Sequence, residues 1–135
     1  MAELFEYALV RVVPRVERGE CMNVGVLLWC QGAGYLDLRC VLDGERLAAL
    51  DPYLDLAAVR IHLDALHRVC VGGPAAGAAG VLSPGERFRW LTAPRSTIVQ
   101  TSPVHTGVTG DPAAELEHLV ELLVDRQGPP SGAAG

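Results

Sequence analysis

The 135-residue sequence contains no lysine, so all 11 of its lysine-or-arginine positions are arginine. This absence excludes a lysine Schiff base, a phosphate-loop lysine and a lysine general base. The chain also has a single asparagine, Asn23, and is rich in alanine, valine and leucine. We interpret this composition as the mark of high-GC coding, so it does not by itself show which positions require arginine.

Aromatic residues make up only 5% of the chain, and the net charge is −5. An acidic chain with few side chains that can stack on bases argues against nucleic-acid binding. No apolar run approaches the roughly 18 residues of a membrane span, and residues 1–6 lack the basic start of a secretory signal. We therefore expect a cytoplasmic protein without a membrane segment.

The four cysteines form no CxxC or CxxH pair, so the usual zinc-binding spacing is absent. Cys30, Cys40 and Cys70 occupy apolar stretches, where free thiols pack as small hydrophobic groups. Cys21 differs because it lies among charged residues. We expect no metal and no cofactor, and inert thiols at the three apolar positions.

Apolar periodicity predicts an α+β fold. Four segments have the β-branched or alternating composition of strands: 5–13, 22–30, 35–42 and 97–101. Residues 55–71, and the segment after Asp111-Pro112, carry apolar residues at the spacings of three and four that are typical of amphipathic helices. We predict an antiparallel sheet of about four strands with helices packed mainly on one face.

The connecting segments set the expected boundaries. Residues 1–126 are predicted to form a single domain, and 127–135, rich in glycine and proline, a disordered tail. Low complexity predicts a mobile loop over 74–81, and polar composition predicts a loop over 102–110. Asp51-Pro52 has the pattern of a helix cap followed by a first-turn proline.

Arginine at strand positions is the first candidate functional feature. The four predicted strands each present one polar group: Arg11, Asn23, Arg39 and Gln100. Sheet centres disfavour long charged side chains. One reading is a solvent-facing surface with cross-strand pairs, for example Arg39 with Asp37 or Glu6. The other is a floor that recognises an anion through guanidinium groups.

Two loops are the other candidates. In the connector over residues 15–20, Arg18 and Glu20 flank a glycine, and surface ion pairs worth about 0–1 kcal/mol explain little of this charge density. In the second loop, hydroxyl, guanidinium and imidazole groups could hold an anion: Arg95, Ser96, Gln100, Ser102 and His105. His105 is the best candidate for a general base, but no Ser-His-Asp order or nucleophile elbow is present. Whether the protein is an enzyme stays open, with the balance against it.

The motif residues together resemble the DUF3037 family, a bacterial family of unknown function. The resemblance covers about residues 4–124, and its most specific part is Arg-Gly-Glu at 18–20 followed by Asn-Val-Gly-Val-Leu-Leu at 23–28. The remaining matches are single positions further along the chain: Arg39, Arg95, Gln100, Ser102, Gly107, Asp111-Pro112 and Leu116. Relatives carry a bulky apolar residue before the asparagine, where this chain has Cys21-Met22, which weakens any role for Cys21.

This resemblance implies a small accessory protein, since members of the family tend to be encoded near a HipA-like kinase-fold protein. We therefore expect a binding module that acts with such a partner through an arginine-rich polar surface. The alternative is a small enzyme, or a protein that binds a nucleotide or phosphate ligand, using Arg11, Arg39 and Arg95 with Glu20 or His105.

Overall fold

The computed structural model describes residues 2–128, which form five strands and four α-helices. The strands are β1 (Glu3–Val12), β2 (Met22–Cys30), β3 (Tyr35–Cys40), β4 (Val99–Thr101) and β5 (His105–Thr109). The helices are α1 (Gly44–Leu50), α2 (Leu56–Val71), α3 (Pro84–Thr92) and α4 (Pro112–Leu123). Short 3₁₀ segments lie at Val16–Arg18 and Pro74–Val81.

The strands form one antiparallel sheet in which β1 is central. β2 and then β3 extend the sheet from one edge of β1, while β4 and β5 share the other edge. β4 pairs with residues 10–12 of β1, and β5 pairs with residues 3–7. The predicted α+β class with an antiparallel sheet is confirmed. The prediction of a loop throughout 102–110 is wrong, because β5 is an exposed edge strand without the apolar alternation that signals a strand.

Helices cover both faces of the sheet, three on one face and one on the other. The first face and α1–α3 enclose a core built mainly of aliphatic residues with one phenylalanine: Val10, Val12, Leu27, Leu47, Leu63 and Phe88 are among its members. The second face packs against α4: Phe5, Leu9, Leu28, Leu116 and Val120 lie there. The predicted polar face is therefore the one that α4 covers.

Side-chain alternation in β2 changes near the start of the strand. The register against β1 shifts between Val10 and Arg11, which leaves Val24 as the extra residue of a β-bulge. Val24 consequently packs in the α1–α3 core with Leu27, whereas Asn23 lies on the α4 face. Uninterrupted alternation along β2 predicts that Asn23 and Leu27 share a face, and the bulge makes that prediction wrong.

The start of α2 also differs from the sequence prediction. Asp51 ends α1 instead of capping α2, and its Oδ1 accepts a hydrogen bond from the Tyr53 amide at 2.8 Å. The N-cap of α2 is Asp55, whose side chain accepts from the Ala58 amide at 3.1 Å. The prediction that Asp51-Pro52 caps a helix is wrong, because the cap of α2 lies further along the chain at Asp55. The Asp51 carboxylate is therefore available for other contacts.

Residues 74–81, predicted as a mobile loop, form 3₁₀ turns on either side of Gly77, which has φ +66°. Arg87 holds this segment to the end of α2, since its Nη1 donates to the Leu82 carbonyl at 2.7 Å and its Nη2 to the Cys70 carbonyl at 3.4 Å. The predicted disordered tail lies, from residue 129 on, outside the described residues. Over residues 2–128, the helices are too short or too polar to cross a membrane.

The cysteines differ sharply in exposure. Cys30 and Cys70 are buried and Cys21 is exposed. Burial raises the pKa of the Cys40 and Cys70 thiols to about 12, and the thiolate is the reactive form.

We predict that at pH 8 a thiol reagent such as dithionitrobenzoate modifies one cysteine, Cys21, rapidly in the native protein. The Cys21→Ser variant should lose that phase, and rapid modification of two or more native thiols would refute the prediction.

Candidate functional site: the connector cleft

Three of the predicted site residues form a row across the sheet, with Arg11 of β1 between Asn23 of β2 and Gln100 of β4. Arg11 Nε donates to Asn23 Oδ1 at 3.4 Å, and Asn23 Nδ2 donates to the Leu123 carbonyl at 3.2 Å. Gln100 Nε2 donates to the Thr97 carbonyl at 2.8 Å. The bonds of Arg11 and Asn23 join the end of α4 to the sheet, and the bond of Gln100 closes the turn before β4, so all three residues make structural contacts.

Arg39 lies on the same side of the sheet and also contacts α4. Its Nη2 is 2.5 Å from Glu117 Oε1, and both side chains are about half exposed. An ion pair at that exposure contributes about 0–1 kcal/mol. Arg39 pairs with neither Asp37 nor Glu6, because Glu6 is occupied by Arg89 and Asp37 accepts from its own strand.

Ser102 and His105 lie at the edge that β4 and β5 share. Ser102 is 3% exposed, its Oγ accepts from the Leu9 amide at 2.8 Å, and its own amide donates to the Leu9 carbonyl at 2.8 Å. The hydroxyl thus continues the sheet hydrogen bonding of β1 across the gap between β4 and β5. His105 is exposed, and its ring packs on Tyr7 with centroids 5.2 Å apart.

Replacing Ser102 with alanine should lower the free energy of unfolding by about 1–3 kcal/mol, because it leaves the buried Leu9 amide without an acceptor. Chemical denaturation of the purified variants measures this. Ser96 supplies the matched control, since it is exposed and its hydroxyl makes no hydrogen bond within residues 2–128. Equal stability of Ser102→Ala and Ser96→Ala would show that the hydroxyl does not support the sheet.

Arg95 lies on the other side of the molecule, beside α3. Its Nη2 donates to the Trp90 carbonyl at 2.7 Å, and its guanidinium carbon is 4.4 Å from the centroid of the Trp90 ring. Arg11 and Arg39 are on the α4 face. The structure therefore does not bring these three arginines together around one anion.

Arg18 and Glu20, the remaining predicted residues, line a cleft of about 550 Å³. We call it the connector cleft, because it lies between the connector after β1 and the turn between α1 and α2. Its charged and aromatic lining comes from both segments: Arg15, Glu17, Arg18, Glu20, Asp51 and Tyr53. Gly19, in the left-handed conformation at φ +70°, makes the turn that sets Arg18 beside Glu20.

Two ion pairs organise the connector cleft. Arg15 Nε donates to Asp51 Oδ2 at 3.2 Å, and the Asp51 side chain is only 11% exposed. Arg18 Nε donates to Glu20 Oε1, and the hydrogen bond and charge of Arg18 lower the pKa of Glu20. Neither arginine uses its terminal nitrogens in a hydrogen bond within residues 2–128. Both guanidinium groups are thus held in place and still able to bind a partner.

Sequence reasoning missed Asp51 and Tyr53 at this site. They come from a turn more than 30 residues beyond the connector, and Asp51 has the pattern of a helix cap. Tyr53 is 86% exposed, and a large aromatic residue beside Pro52 in a turn was the one available signal. Its exposure matters, because a tyrosine offers much contact area for little loss of side-chain entropy.

The lining of the connector cleft is mainly charged. Its lining includes neither thiol nor imidazole. Across residues 2–128, histidine, cysteine and carboxylate side chains nowhere gather in a group of three that could hold a metal ion. Paired charges, terminal guanidinium nitrogens and an exposed tyrosine are groups that bind another polar surface.

Fold and site together define a small α+β domain with a charged cleft at one end of an antiparallel sheet. The chain belongs to the DUF3037 family, described as a protein of unknown function, whose model matches residues 7–124. The predicted family is thereby confirmed over most of the chain. Searches of curated proteins and of solved structures gave no match.

Proposed function

We propose that this chain is a cytoplasmic accessory module that binds a kinase-fold protein, and that the connector cleft is its docking surface. The observation that carries the proposal is the position of Tyr53, 86% exposed, beside two arginines with unused terminal nitrogens. Tyrosine and arginine are the residue types that supply much of the binding energy in protein interfaces.

Charge in the connector cleft supports a specific docking orientation. Arg15 and Arg18 alternate with Glu17 and Glu20 along the connector, so a partner must present the complementary order of charges. Such patterns fix register and reject other partners more than they add affinity. The partner's class, a HipA-like kinase-fold protein, is what the resemblance to the family implies.

The test is complex formation between the two purified proteins. We expect this chain and a HipA-like kinase-fold protein from the same organism to co-elute in size-exclusion chromatography when mixed at about 20 μM, as even a micromolar Kd would produce. Two separate peaks at that concentration would overturn the proposal. The cleft variant Tyr53→Ala should give a smaller complex peak than the parent chain at the same concentration, while the unbound variant keeps the elution volume of the folded chain.

The alternative is a small enzyme or a phosphate-binding protein in which Arg11, Arg39 and Arg95 form one site. It has less support, because the three arginines lie apart. Arg11 bonds to Asn23, Arg39 pairs with Glu117, and Arg95 lies beside α3. Glu20 is already paired with Arg18. A ligand held by all three arginines at once would require them to leave these separate positions.

A further inference from the structure

A second cleft, separate from the connector cleft, lies between α2 and α3 and has a volume of about 440 Å³. We call it the α2–α3 cleft. Its charged and titratable lining consists of Arg68 and His62 from α2 and Arg95 from the segment after α3, and no carboxylate lines it. In a protein of net charge −5, a concavity whose lining has two arginines and no carboxylate is an exception that requires an explanation.

The positive charge of the α2–α3 cleft is not neutralised by the fold. Within residues 2–128, Arg68 forms no ion pair, and the contacts of Arg95 are with the carbonyl and the ring of Trp90, both uncharged. Burial lowers the pKa of His62, and the charge of Arg95 lowers it further, with no carboxylate acting in the other direction. The positive charge that attracts an anion is therefore that of Arg68 and Arg95, while the neutral form of His62 is favoured.

The floor and wall of the cleft are apolar. Leu66 and Val69, 6% and 5% exposed, form part of the floor, and the 44%-exposed ring of Trp90 forms one wall. Stacking of the Arg95 guanidinium on that ring fixes the direction in which its remaining nitrogens point. The volume is within the range of about 300–1,000 Å³ that small-molecule sites occupy.

We propose that the α2–α3 cleft binds a small organic anion, with its phosphate or carboxylate at Arg68 and Arg95 and its flat apolar part against Trp90. Arginine is suited to both acids because its fork matches two acceptor oxygens. The site shares no residue with the connector cleft. Ligand binding here and partner docking there can therefore be tested, and can fail, separately.

Calorimetric titration of the full chain with phenyl phosphate and with benzoate tests the proposal, with phenol as the uncharged probe. We expect saturable binding of at least one of the two anions and none of phenol at the same concentration. If phenyl phosphate alone binds, the ligand class is phosphate esters, and if benzoate binds equally, it is aromatic acids in general. Absence of saturable binding by both anions up to 10 mM would overturn the proposal, as would equal binding of phenol.

Two variants locate the binding. Arg68→Gln should weaken the affinity for the anion at least tenfold, while Arg60→Gln, on the same helix but outside the cleft, should leave it unchanged. In a Trp29→Phe background, Trp90 is the remaining tryptophan, and its fluorescence should change along the same binding curve. Unchanged affinity in Arg68→Gln, or unchanged Trp90 fluorescence during saturable binding, would show that the ligand binds outside the α2–α3 cleft and would contradict the proposal.

Discussion

Replacing Gly25 with alanine should lower the free energy of unfolding by about 3 kcal/mol, the upper part of the range for inserting an atom into a packed core. The new Cβ would lie 2.8 Å from the Arg39 carbonyl oxygen and 2.9 Å from the Cys40 sulfur. The carbonyl belongs to the backbone of β3, so relief requires β2 and β3 to separate. Urea denaturation with a fluorescence readout measures the change.

Gly110→Ala is the matched control for this prediction. A Cβ at Gly110 would meet no atom within 4 Å, and its φ lies outside the left-handed range. Its free energy of unfolding should stay within about 0.5 kcal/mol of the parent value, as for most surface substitutions. If both variants were equally stable, the close approach of β3 to Gly25 would not be the reason for a glycine there.

Replacing Tyr53 with alanine should weaken binding to the kinase-fold partner about thirtyfold, or about 2 kcal/mol, the loss expected of a central interface residue. The side chain is 86% exposed in the unbound chain, so the free energy of unfolding should change by less than about 0.5 kcal/mol. Surface plasmon resonance gives the affinity, and urea denaturation gives the stability of the same preparation.

Leu122→Ala serves as the control for docking, because Leu122 is also an exposed large apolar residue, 56% exposed, but lies on α4. It should bind the partner as tightly as the parent chain. Equal losses of affinity in Tyr53→Ala and Leu122→Ala would mean that the partner does not select the connector cleft.

Periodicity predicted the elements with strong alternation or helical spacing, and it failed where a contact with a distant segment decides the outcome. Residues 55–71 carry their helix signal locally, and the structure has α2 at Leu56–Val71. The bulge that moves Asn23 to the α4 face instead depends on how β2 meets β1. No local property of the segment records that register.

For the candidate site, the sequence identified candidate residues but not their neighbours. Ser102 was predicted to belong to an anion-binding loop, and Gly107 is one of the positions that match the family. In the structure the Ser102 hydroxyl bonds to the buried Leu9 amide, and the Phe5 ring packs so close to Gly107 that a Cβ there would lie 2.6 Å from its Cζ. These two motif positions therefore have packing reasons, which only the pairing of β5 with β1 reveals.

The absence of lysine also takes on a physical meaning at two positions. Arg15 and Arg18 each hold a carboxylate through Nε and leave their terminal nitrogens for another partner. A lysine ammonium lacks the rigid planar fork that fixes the directions of these donors, so it would not hold them in this geometry. The contacts in the connector cleft thus give a physical reason for arginine at positions 15 and 18 in addition to coding bias.

Hydrogen–deuterium exchange on the complex with the kinase-fold partner tests the docking surface most directly, because it reports the contact site without any substitution. We expect binding to slow exchange in two segments, residues 15–20 and 51–54, and to leave exchange in β5 and α4 unchanged. Protection confined to β5 or α4, with both cleft segments exchanging as in the unbound chain, would contradict this expectation.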